Sequence, residues 1–88
     1  MLNYDDLKII KEYSNDNRTR VTVLAFTADR TRIVIAEFAF YKDPNNKMVS
    51  VQDGCKRVHE SYRNTPTNMD EAREIYNDVV LSLKSLIL

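Results

Sequence analysis

Two neighbouring segments, Val21–Phe26 and Ile33–Tyr41, are apolar at nearly every position and contain no Gly or Pro. Runs of β-branched and aromatic residues of this length read as strands. Side chains alternate across a strand, so a strand with one face in water alternates apolar with polar residues. These two segments lack that alternation, and Thr22 and Glu37 are their only polar residues. They predict a small sheet with two apolar faces. One amphipathic helix follows much later, and a single helix covers a single face. The other face needs the N-terminal segment folded over it, closure of the sheet into a small barrel, or a second copy, a partner or a ligand. Monomers seldom expose an apolar patch of more than a few hundred Å².

Parity assigns the faces. If the intervening loop pairs Phe26 with Arg32, then Leu24, Phe26, Val34, Ala36, Phe38 and Phe40 share one face. Val21, Val23, Ala25, Ile33, Ile35 and Ala39 share the other and form the candidate oligomer interface. The expected assembly is a homo-oligomer, most simply a dimer.

The rest of the chain supplies turns, further strands and the helix. Asn15-Asp16-Asn17 is a turn cluster, because Asn and Asp tolerate left-handed backbone and bond locally. Before it, Leu7–Tyr13 reads as a strand or as a short helix capped by Asn3, with the strand preferred. Asp43-Pro44-Asn45-Asn46 fits a type I turn. A return strand is expected over Met48–Gln52, and Asp53-Gly54 marks another turn with the only Gly. Lys56–Tyr62 reads as a further strand paired as a hairpin, or as an irregular arm. From Met69 to about Leu86, the residues Ala72, Ile75, Tyr76, Val79, Leu83, Leu86 and Ile87 recur at three- and four-residue steps. Thr67 or Asn68 caps this helix, with Asp70 and Glu71 in its first turn. The fold class is therefore α+β: an antiparallel meander of four to five strands with one C-terminal helix packed on one face.

Eighty-eight residues make one domain, residues 1–88. A chain this small buries only roughly 60–65% of its unfolded surface, so assembly would help its stability. The single Cys55 rules out an intramolecular disulfide framework and fits a reducing compartment. No signal-peptide pattern opens the chain, and no apolar run approaches the ~20 residues that span a bilayer. A cytoplasmic setting without membrane contact is expected.

Residues 53–64 concentrate the reactive side chains, including the only Cys and the only His. In extended backbone Cys55 and His59 lie on one face but about 13 Å apart by rise alone, too far for a thiolate–imidazole pair. Two ligands are also too few for zinc. No catalytic residue, metal or cofactor is expected. The same segment reads better as a binding arm: Lys56, Arg57 and Arg63 with His59 and Tyr62 offer cations beside a stacking ring. In the register above, Arg18, Arg20 and Arg32 fringe the Phe26/Phe38/Phe40 face. Zero net charge hides an asymmetry that fits this reading, because residues 18–66 hold nine Lys and Arg against five Asp and Glu.

The order of several antiparallel strands followed by one helix is similar to small single-strand-binding domains of the Pur and Whirly type. That resemblance is one of architecture and carries no residue over; it implies a dimer that binds nucleic acid on a sheet. Size and lack of motif also suit a small accessory protein of a phage or mobile element. Two functions follow as expectations. The first is a non-enzymatic interaction protein that associates with itself and with a protein partner. The second is a single-stranded nucleic-acid-binding module.

Overall fold

The computed structural model describes residues 2–15, 19–42, 45, 48–50, 55–65 and 67–85. Arg18, Leu86, Ile87 and most of the turns at 15–17, 43–46 and 53–54 lie outside them. A 3-10 turn, Tyr4–Asp6, precedes β1 (Lys8–Ser14), β2 (Arg20–Phe26), β3 (Arg32–Lys42), β4 (Met48–Ser50), β5 (Lys56–Tyr62) and α1 (Asn68–Ser85). The expected α+β meander with a C-terminal helix is the observed architecture.

All strand pairs are antiparallel, in the order β1-β2-β3-β4, with β5 also on β3. β2 occupies one edge of β3 over Ile33–Ala39, so β5, which pairs Arg32–Glu37, takes the opposite edge. β4 pairs Phe40–Lys42 on that edge. β4 and β5 thus both run antiparallel to β3 along one edge. The expected hairpin between them is corrected: β5 pairs with β3, because the length of β3 offers an edge that the three residues of β4 leave unfilled.

Asn15 closes the β1–β2 hairpin. Its side-chain oxygen accepts from Thr19 N at 2.8 Å and Arg20 N at 3.1 Å. Both readings of the N-terminal stretch hold in part. Lys8–Ser14 is a strand, and Asn3 caps the short turn before it by accepting from Asp5 N at 3.2 Å.

The β2–β3 register differs from the expected one by a single residue. Thr27 N donates to Arg32 O at 3.0 Å, so Thr27 and Arg32 close the loop and Phe26 pairs with Ile33. A one-residue slip moves every side chain of a strand to the other face. The helix face therefore carries Leu24, Phe26, Ile33 and Ile35, packed against Ala72, Tyr76, Met69 and Ile75 of α1. Val21, Val23, Ala25, Val34, Ala36 and Phe38 line the opposite face. The candidate interface is corrected accordingly: Val21, Val23 and Ala25 lie on one face, whereas Ile33, Ile35 and Ala39 lie on the other.

Neither face is open. The second one is covered by Leu2, Tyr4, Leu7 and Ile9 from the N-terminal segment and β1. Tyr4 sets its ring edge-on to Phe38 and Phe40 at 5.4 and 5.2 Å, and its hydroxyl donates to Glu12 at 2.8 Å. Val23, Ala25, Val34 and Ala36 beneath are fully buried. Association was expected because one face would lie open; the N-terminal cover removes that argument.

At the tip of the β2–β3 loop, Asp29 accepts from Thr27 Oγ1 at 2.7 Å, Thr31 N at 3.0 Å and Thr31 Oγ1 at 2.8 Å. These bonds, that from the Thr27 hydroxyl first, lower its carboxyl from 3.8 to about 2. A carboxyl lowered by folding stabilises the fold above its unfolded pKa, and that contribution is lost as pH falls from about 4 to about 2. Asp29→Asn should therefore lose less stability than the parent chain over that window, read as urea midpoints against pH. Equal losses in both proteins would contradict the assignment. Arg30, beside it, has a left-handed φ of 61° that the turn imposes on a non-Gly residue. Its N–H closes the turn on Thr27 O at 2.8 Å.

Candidate interaction surface

β5 pairs with β3 from Arg32↔Tyr62 to Glu37↔Lys56, with a bulge between Ile35 and Ala36. Val58 is the extra residue, and its side chain joins the helix-side core. A bulge shifts the alternation by one. Arg57, Glu60 and Tyr62 consequently stand together on the face away from the helix, opposite Ala36, Val34 and Arg32. Lys56, His59 and Ser61 stand on the helix side, opposite Glu37, Ile35 and Ile33.

The bulge lets one carboxylate serve two arginines. Glu60 accepts from Arg57 Nη1 at 2.8 Å through one oxygen and from Arg32 Nη1 at 3.3 Å through the other. Its bond to Glu60 is the main reason the Arg32 guanidinium rises above its usual range. Arg32 also lies over the Tyr62 ring at 5.1 Å, and Tyr62 is 60% exposed. Exposed ion pairs add little to stability, typically ~0–1 kcal/mol. The cluster's effect is positional: Glu60 fixes two guanidiniums, and one of them, that of Arg32, lies over an exposed ring.

The other nominated cations are elsewhere. Arg63 turns back over Phe26 at 4.3 Å and donates to Arg30 O at 3.5 Å, capping the end of the helix-side core. Arg20 and Lys56 line a cleft of about 360 Å³ that also involves Glu37 and Leu83 of α1. His59 is half-buried, and its Nε2 and the Ser61 Oγ are shielded from solvent without a hydrogen-bond partner among the described residues. The proposed row of Arg20 and Arg32 beside Phe26, Phe38 and Phe40 is corrected. In the observed register Arg20 and Phe26 face the helix, and Arg32, Phe38 and Phe40 face away. So the structure brings together Arg32, Arg57 and Tyr62, separates Arg20, Lys56, His59 and Arg63 from them, and adds Glu60. Spacing gave no sign of Glu60, because residues 57 and 60 share a strand face only across a bulge.

Cys55 packs against the core of the N-terminal-segment face, while His59 faces the helix. They do not share the face expected of an unbulged strand. Burial pushes the Cys55 thiol up, which disfavours the thiolate. Among the described residues, no group of three or more His, Cys, Asp or Glu is placed to hold a metal ion. None of the described helices is long and apolar enough to cross a membrane. The chain matches no family model, no curated protein and no solved structure.

Proposed function

We propose that this chain is a non-enzymatic association protein that works through the Arg32–Glu60–Arg57–Tyr62 surface. The observation that carries this reading is the exposed Tyr62 ring held beside the Arg32 guanidinium, which Glu60 orients together with that of Arg57. Tyr and Arg supply a large share of the binding energy at protein interfaces. Side chains ordered before contact lose less entropy on binding. Glu60 leaves the cluster one net positive charge, which suits a protein surface better than a run of phosphates. The lone free Cys55 accords with a reducing, cytoplasmic setting for this association.

A single-stranded nucleic acid is the second reading, favoured by the adjacency of the Tyr62 ring and the Arg32 guanidinium. An oligonucleotide column separates the two. Under the association reading the chain flows through at about 50 mM salt, where phosphate contacts would hold it. Retention that weakens with added salt and is lost in Arg57→Ala would transfer the function to nucleic acid. Tyr62→Ala should then cost ~1–3 kcal/mol of binding with little salt dependence.

A further inference from the structure

The outer side of α1 is acidic. Glu71, Glu74 and Asp78 recur at steps of three and four on the side opposite the buried Ala72 and Tyr76, and all three are exposed. Leu81 continues the stripe and is 61% exposed. Among the described residues, these three carboxylates form no ion pair within the chain. The Arg32–Arg57–Tyr62 surface offers the complement: two guanidiniums with donors to spare beyond Glu60, and an exposed ring.

We infer that the occupant of the Arg32–Arg57–Tyr62 surface is the acidic outer stripe of α1 from a second copy of this chain. This rests on reading that surface as an association surface. Glu74 and Asp78 meet the guanidiniums of Arg32 and Arg57, and Leu81 packs beside the Tyr62 ring. α1 covers one face of the sheet and the arginine cluster stands on the other. Two copies therefore cannot exchange both contacts reciprocally. The contact is head to tail and leaves one surface of each kind open at the ends, so assembly grows past the dimer with concentration. Charge drives it, so salt weakens it.

Sedimentation of the full chain over a wide concentration range, at low and high salt, is the test, with far-UV circular dichroism confirming that each variant is folded. The parent chain should associate at low salt and dissociate by at least tenfold in affinity at high salt. Glu74→Lys with Asp78→Lys, both on the exposed helix side, should abolish association. So should Arg32→Glu with Arg57→Glu, and Tyr62→Ser is the uncharged check on the same surface should the arginine pair fail to fold. Combining the helix and arginine reversals in one chain should restore association. A parent chain that stays monomeric throughout would overturn the inference. If Tyr62→Ser or the arginine reversal weakens association and the helix reversal does not, the occupant is wrong while the surface stands. If none of these changes matters, surface and occupant both fall.

Discussion

Phe38→Ala is expected to lower the free energy of unfolding by about 3–5 kcal/mol, read from the denaturant midpoint with an unchanged slope. Phe38 is 2% exposed, pairs with Val21 across the strands and receives the edge of Tyr4. Removing its ring leaves a cavity between sheet and N-terminal segment that the rigid strands cannot close. Domains typically have only about 5–15 kcal/mol in total, and a small chain sits toward the low end. The same reasoning applies to charge. Val23 and Ile35 are both fully buried, on opposite faces. Val23→Lys and Ile35→Lys should each unfold the chain, since a lone buried ammonium has no partner on either face. A folded, soluble Val23→Lys protein would show that the N-terminal segment does not seal that face.

Tyr4→Ala is the second large effect, expected at about 2–4 kcal/mol. Two edge-to-face ring contacts contribute ~0.5–1.5 kcal/mol each, and the half-buried ring adds part of the ~1.5–3 kcal/mol of a fully buried side chain. Tyr4→Phe should cost about 0.5–1.5 kcal/mol, because it keeps the ring and removes the hydroxyl that bonds Glu12. The ratio of the two losses separates packing from hydrogen bonding as the force that holds the segment down. Thermal or urea unfolding measures both. Similar losses in the two variants would assign the cover to the Glu12 bond.

Particular residues decide how much of this fold was legible in the sequence. The strands β2 and β3 and the helix stand where composition and periodicity put them, because β-branched runs and a 3.6-residue repeat are local signals. The faces were not legible, since they hang on one hydrogen-bonded pair. Thr27 with Arg32, rather than Phe26 with Arg32, closes the loop and flips β3. The N-terminal segment was one of the covers expected for the second face, but the residues that make it, Leu2, Tyr4 and Leu7, were not legible, because they have no periodicity and reach that core only through the tertiary fold. Within the helix, periodicity ranked Leu83 with the core, but Ala72 and Tyr76 are the buried positions and Leu83 is half-exposed beside a cleft. The site was half legible. Arg57 and Tyr62 stood out as part of a basic and aromatic segment, yet their meeting with Arg32 and Glu60 depends on the β5 bulge at Val58.

The claim that association runs through the β3–β5 arginine surface, and not through the buried apolar parts of β2 and β3, is tested most directly by residue-resolved NMR during a concentration series at low salt. Amide shifts that move with concentration should map to Arg32 and Arg57–Tyr62, and to the outer side of α1 from Glu71 to Leu81. Val21–Ala25 and Val34–Ala36, sealed under helix and N-terminal segment, should stay still. Shifts confined to those sealed strands, or none at any concentration, would contradict the claim.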